Sequence, residues 1–278
     1  MISIALRRKA ADRVMKTVFV LCAFLVLLPL FLIFFDLLWK GAKEIKWSLL
    51  TDLPRPVGEP GGGIANGILG TLTIAGLAMG GGIPLAVLSG IYLAEFGKGA
   101  LASAVRFAVD LLAGVPSIIM GIFGYVLWVL PMKRFSAWAG ASALAMIFIP
   151  IVVRTTEDML KTVPVSVREA ALALGIERWK TTLFITVRTA SAGIVTGILL
   201  AMARIVGETA PLLFTALGNQ FWQTGLDQPI AAVPLQVFTY AISPYDDWHD
   251  KAWAGAVVLI LMVLVLSLGA RFLARERT

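Results

Sequence analysis

Residues 163 to 211 read VPVSVREAALALGIERWKTTLFITVRTASAGIVTGILLAMARIVGETAP. The first half of this stretch is a charged loop between two long apolar segments. The second half is an apolar helix of membrane-spanning length that nevertheless holds Arg204 and Glu208. We read the loop as a handle by which a partner moves the protein, and the charged pair as a point on the path of whatever is moved.

The chain around this stretch fits that reading. Hydrophobic types make up 59% of the 278 residues and charged types 15%, with a mean hydropathy of +0.87. A soluble domain carries about 25% charged residues, so the apolar excess has to be placed elsewhere. It lies in runs long enough to cross a bilayer, which takes about 20 residues per helix. The runs fall at about 17–38, 66–94, 105–130, 136–153, 189–214 and 252–273. Thr17–Leu38 is longer than the apolar region of a signal peptide and has no small-residue cleavage site after it, so it reads as a retained span. The second span contains Gly80-Gly81-Gly82 with Pro84, which weakens helix hydrogen bonding mid-span, and the third is interrupted by Gly114-Val115-Pro116-Ser117. Such breaks are tolerated where neighbouring helices or water cover the freed backbone. The polar loop 40–65, with Trp39 and Trp47 near its start, reads as interfacial. The aromatic, amphipathic segment 215–251 reads as one that dips into the interface.

Six spans put both termini on one side. Of the 24 Lys and Arg residues, the terminus side holds five in 1–16, two in 95–106, six in 154–188 and three in 271–278. The other side holds seven, and Arg204 lies within a span. Positive residues favour the cytoplasm, so both termini and the 154–188 loop are expected there. The net charge of +7 does not point to nucleic acid, because the basic residues flank apolar runs and form no aromatic-lined patch. Cys22, the one cysteine, lies inside the first run and reads as an apolar filler.

Within the loop, Ser166-Val167-Arg168-Glu169 fits a capping box, a Ser N-cap with Glu three residues on. Ala170 to Leu174 are good helix formers, and Gly175 supplies the left-handed residue that ends a helix. A second helix is expected from about Glu177 towards the fifth span. In that span, at 100° per residue, Gly193, Gly197, Arg204, Glu208 and Pro211 share a stripe roughly 60° wide. Gly193-x-x-x-Gly197 permits close helix contact, and Pro211 removes a backbone hydrogen bond beside Glu208. Arg at the bilayer centre costs about 2.5–3.5 kcal/mol, so this face is expected to meet protein or water. A buried structural pair is one explanation, and a place on a permeation path is the other. An Arg fork suits a tetrahedral oxyanion, which it holds through two parallel hydrogen bonds.

Glu169-Ala170-Ala171, three residues, Gly175, nine residues and Ile185 resemble the EAA loop of ABC-importer permeases. The usual I-x-L-P ending here reads Ile185-Thr186-Val187-Arg188, without the proline. Further resemblance lies in Ala203–Ala216, Gly218–Trp222, Gly114–Ile119 and Val152–Glu157. Together these stretches resemble the permease subunits of bacterial phosphate ABC importers, over most of the chain from about Asn66. The run Gly207–Leu213 favours one of the two permease types over its sister.

This resemblance implies an all-α polytopic protein of the type I importer (MetI-like) fold, with six transmembrane helices and cytoplasmic termini, in a bacterial or archaeal inner membrane. Residues 1–65 would hold the tail, first span and external loop. Residues 66–274 would form the transmembrane domain with a coupling loop at 155–188, and 275–278 a cytoplasmic tail. The implied partners are a PstC-like sister permease, two PstB-like ATPase subunits, a PstS-like phosphate-binding protein, membrane lipid and inorganic phosphate, and no nucleic acid. ATP and Mg would be bound by the ATPase, so this chain needs no cofactor or metal and has no catalytic residue. Arg204, Glu208 and Arg154, the last at the end of the fourth span, match gating or translocation positions. Glu169, Ala170, Ala171 and Gly175 match the docking loop.

The residues leave rivals open. A self-sufficient carrier or channel using Arg204 and Glu208 would transport alone, and it gives no reason for the loop spacing. A membrane enzyme would need a nucleophile or metal constellation, and none is visible. The chain has no G-x-x-x-x-G-K-[ST], so an ATP-binding P-loop is not expected. His249, beside Asp246, Asp247 and Asp250, reads as part of a solvated acidic cluster, and Asp110 as a local partner of Arg106 four residues before it.

Overall fold

The computed structural model describes residues 4–59 and 61–275, with side chains described from 7 to 272 apart from Pro60. The expected tail at 275–278 thus lies, but for the backbone of Arg275, outside the described residues. Helix α1 (Ile4–Glu44) runs well beyond the expected 17–38, because the basic tail before it continues the same helix. Its side chains are almost all exposed, as befits a helix sheathed in lipid. It meets the body near its end, at Gly41, where a Cβ would lie 2.6 Å from the Trp253 carbonyl oxygen.

Helix α2 (Ala65–Ile91) passes unbroken through Gly80–Gly82 and Pro84, then widens into a π-helical turn, Tyr92–Phe96. The span stays helical across the glycine cluster. Gly82 lets the helix close on Phe148, and Gly90 lets it close on Thr156 and Val153. Helix α3 (Gly99–Gly114) and helix α4 (Ser117–Gly124) meet at a bend of 106°. The third span is thus a broken or re-entrant element rather than one interrupted helix. Pro116 takes extended backbone before Ser117, which stops α3 and restarts the chain in a new direction. Beyond α4 the helix continues through a π turn, Tyr125–Val129, to Met132.

Helix α5 (Ala137–Lys161) begins at a Ser136 cap whose hydroxyl accepts from the Ala139 N–H at 3.1 Å. It ends eight residues past the expected Val153, so Arg154 lies inside the helix and not at its end. The extension holds because Glu157, only 1% exposed, accepts from Arg106 Nε at 2.7 Å and Lys161 Nζ at 2.6 Å. A buried carboxylate is stable only when paired in this way. Arg106 is therefore not the partner of Asp110, as expected from sequence. Asp110 faces Arg154 instead, at 3.7 Å.

Helix α6 (Val165–Ala173) starts after Pro164, not at Ser166. Ser166 is inside the first turn and makes no cap, so the expected capping box does not form. Gly175, at φ +79°, ends the helix as expected. A short turn, Arg178–Lys180, and a π segment, Thr181–Thr186, lead into helix α7 (Val187–Val206). The chain then breaks at Gly207–Thr209, and helix α8 (Ala210–Thr215) follows with Pro211 in its first turn. The fifth span is therefore two helices, not one running from 189 to 214. Pro lacks the N–H that would continue the ladder, yet is at home in a helix's first turn.

The segment after α8 is anchored to the body. Leu217 and Ile230 form a β-bridge, residues 230–233 are buried, and helix α9 (Val233–Ala241) packs on helix α10 (Asp246–Arg275). Asn66, at the start of α2, pins this segment by donating to the Asn219 carbonyl at 2.7 Å and accepting from Gln236 at 2.9 Å. By length and composition, five helices among the described residues can cross a membrane, six if the bent α3–α4 pair counts as one.

The core lies between α2, α5 and α7, around Ile74, Leu144, Phe148 and Ile205. Helix α7 closes on α5 through Gly193, against Met159, and Gly197, against Thr155. Filling that contact costs about 1–3 kcal/mol by overpacking. Gly197→Leu is accordingly expected to lower the temperature at which the detergent-purified protein loses monodispersity. Gly76→Leu, where a Cβ meets nothing within 4 Å, should leave it unchanged. Equal behaviour of the two variants would contradict this packing.

Candidate functional site

Two regions gather the residues singled out from sequence. The first is the open end of α7. Its lower part is covered, since the glycine contacts put Gly197 beside Thr155 and Gly193 beside Met159 on an antiparallel α5. Higher up, Arg204 is 52% exposed, and Glu208, just past the helix end, is 16% exposed. The two still meet, with Arg204 Nε donating to Glu208 Oε1 at 3.4 Å, a long bond. The break at 207–209 gives Glu208 a position that a continuous helix would not. Helix α8, directly after it, is held close to α4, where Gly121 faces the Pro211 backbone and Gly124 faces the Thr215 methyl.

Arg154 belongs to the same region at a different depth. The pairing of Thr155 with Gly197 sets it about level with Ile198, roughly 9 Å along the helix axis from Arg204 at 1.5 Å per residue. It is half exposed and lies between two carboxylates, Asp158 at 3.4 Å and Asp110 at 3.7 Å. Arg204, Glu208 and Arg154 thus form no single contact cluster. They are two half-exposed guanidinium groups at successive levels, each already holding carboxylate oxygens. Arginine forks so placed can exchange a carboxylate for another oxyanion of similar geometry.

The second region is the loop. Glu169 and Ala170 are exposed on α6, and Leu172 and Leu174 present 47% and 82% of their surfaces outward. Ala171 faces the other way and is buried against the body, so it seats the helix and is no part of the outward face. Burying one alanine holds a helix weakly, at about 0.8 kcal/mol per CH₂. The stronger hold is Arg168. Its Nε and Nη2 donate to Glu95 Oε1 at 3.0 and 2.7 Å, Nη1 to the Val163 carbonyl at 2.6 Å, and Nη2 also to the Leu160 carbonyl at 2.7 Å. Hydrogen bonds to charged groups contribute about 1.5–3 kcal/mol each, so this group decides how α6 sits.

Glu95, Arg106 and Glu157 escaped the sequence reading as a set. Glu157 was visible only as one charge among several in an apparent loop. Its run Arg154, Glu157, Asp158, Lys161 has the i, i+4 spacing of a helix surface. His249 makes no ligand cluster: one ring nitrogen lies 2.6 Å from the Ser243 carbonyl and the other 4.0 Å from Asp246. Among the described residues no three His, Cys, Asp or Glu side chains gather to hold a metal.

The chain is similar to known proteins over most of its length. The profile of the family described as "Binding-protein-dependent transport system inner membrane component" matches residues 82–276. The phosphate transport system permease protein PstA of Yersinia pestis is 48% identical over 88% of this chain and 83% of its own length. That of Haemophilus influenzae is 44% identical over 97% of this chain and 96% of its own. Among solved structures, a bacterial ABC transporter involved in importing the acidic polysaccharide alginate superposes with a TM-score of 0.66 over 99% of this chain and all of that one, at 15% identity. At that identity the likeness speaks for the fold alone.

Proposed function

The chain belongs to the family of binding-protein-dependent transport inner-membrane components, and from that premise we propose that it is the PstA-type permease of an ATP-driven phosphate importer. The observation that carries the phosphate assignment is the 43–50% identity to PstA permeases over most of the chain. The half-exposed arginines agree with an oxyanion cargo.

In this reading the translocation path runs between this chain and a PstC-like sister permease, along the open face that holds Arg204 and Arg154. Glu208, Asp158 and Asp110 occupy the guanidinium groups when phosphate is absent, and phosphate displaces them in passing. Helix α6 docks on a PstB-like ATPase through Glu169, Ala170, Leu172 and Leu174, while Ala171 and Gly175 fix its seating and its end. ATP and Mg belong to that partner, one of two copies, and a PstS-like protein delivers phosphate from outside. The excess of basic residues on the terminus side supports a cytoplasmic position for both termini and α6.

A complex purified through a tag on this chain is expected to contain one sister permease and two ATPase subunits by native mass spectrometry. Phosphate-loaded binding protein should stimulate its ATP hydrolysis, and omission of the sister permease should abolish that stimulation. A homomeric chain that transports without an ATPase would overturn the reading in favour of a secondary carrier.

A further inference from the structure

We infer that Glu95 is the strut joining the docking helix to the membrane body, and so a positioning residue for coupling ATP hydrolysis to transport. The inference rests on the ATPase-docking reading of α6.

Three arginines from three separate segments converge on the last π-helical turn of α2. Arg106, from α3, donates to the Leu93 carbonyl at 2.6 Å. Arg168, from α6, donates twice to the Glu95 carboxylate, which is only 8% exposed. Arg178, beyond the Gly175 turn, donates to the Glu95 carbonyl at 2.6 Å and lies over the Phe96 ring at 5.1 Å. A helix end leaves its last carbonyls without intrahelical partners, and π turns recur where function needs such departures. Here the Leu93 and Glu95 carbonyls are taken by arginines, and one buried carboxylate adds the charge that holds the node.

The geometry makes this more than a local bond. Both arms of the α6 hairpin, before and after Gly175, end on the same residue. Arg168 also reaches the Leu160 and Val163 carbonyls at the end of α5. Arg106 in turn pairs with Glu157 of α5. A push on α6 therefore reaches α2, α3 and α5 through Glu95 and its partners. The apolar seat of α6 is small, Ala171 with a half-buried Val167, and cannot carry that push alone. Without the Glu95 carboxylate, α6 can still meet an ATPase, but its displacement is no longer handed on in full.

The test uses the whole reconstituted complex in proteoliposomes, with labelled phosphate uptake and ATP hydrolysis measured together. In Glu95→Ala, hydrolysis is expected to persist while phosphate moved per ATP falls about tenfold, the effect of losing one charge-assisted contact. Glu95→Gln, which keeps shape and an acceptor oxygen, should fall between it and wild type. The exchange Glu95→Arg with Arg168→Glu should recover part of the ratio, and the KM for phosphate should not move in any of them. A wild-type ratio in Glu95→Ala would overturn the proposal. So would loss of the ATPase subunit from Glu95→Gln and the exchange variant alike, which would make Glu95 a folding residue only. A wild-type complex that moves no phosphate would overturn the function reading itself, and this inference with it.

Discussion

Replacing Arg204 with Gln is expected to abolish phosphate uptake while leaving the assembled complex intact. The two halves of this expectation have different physical grounds. Arg204 is half exposed, and its described ion pair, to Glu208 at 3.4 Å, is long. Pairs of that kind contribute about 0–1 kcal/mol to stability, so folding has little to lose. Transport has more to lose, because Gln offers no charge and no planar fork to a tetrahedral oxyanion. Hydrogen bonds to charged groups contribute about 1.5–3 kcal/mol each, so losing the two bonds of a fork is a fall of about 100-fold or more at 1.4 kcal/mol per tenfold. Arg204→Lys keeps the charge but not the bidentate geometry and should recover only part of the rate. Initial uptake rates at matched complex yield decide the matter. Retained uptake in Arg204→Gln would remove this residue from the path.

Gly175→Val should release or uncouple the ATPase, and here the cause is backbone alone. Gly175 sits at φ +79°, and a Cβ built there meets nothing within 4 Å. The left-handed conformation costs an L residue about 1–2 kcal/mol, and a β-branched side chain more. Relief of that strain rotates the turn and carries away Leu174 on one side and Arg178 on the other. Gly175→Asn, which tolerates this region, should keep most of the function, and Gly175→Ala should fall between the two. Copurification of the ATPase subunit and phosphate-stimulated hydrolysis are the readouts. Normal values for both in Gly175→Val would count against α6 as the docking element.

Much of the fold is written in local features. The existence of the apolar runs, the left-handed Gly175 and the Gly193–Gly197 contact could all be read without a partner element in view, and the structure has a helix in each run, Gly175 at φ +79° and both glycines against α5, although the ends and breaks of the runs differ. Some misreadings are local, as where Pro164 and not Ser166 starts α6, but the larger ones share one cause: their answers depend on residues far away in sequence. The charges from Arg154 to Lys161 looked like a loop until Arg106, some fifty residues earlier, supplied the counter-charge that lets Glu157 be buried in a helix. That same pairing leaves Asp110 to Arg154. Pro116 marked a break in the third span but not its 106° direction, which follows from how α4 closes on α8 through Gly121. Likewise Pro211 announced a weakness beside Glu208, and the chain answers it with a full break at 207–209. The loop's short helix and its Gly175 end were legible in its alanines and glycine, but its outward face was legible only in part, because Ala171 turns inward and Leu172 and Leu174 turn out. Its anchor at Glu95 was not, because Glu95 lies 73 residues before Arg168.

The most direct measurement is ATP-dependent uptake of labelled phosphate into proteoliposomes holding this chain, its sister permease, the ATPase and the binding protein. Uptake should require every component, be suppressed by excess unlabelled phosphate and be indifferent to the same excess of sulfate. Uptake by this chain alone, or equal suppression by sulfate, would contradict a phosphate-importing permease.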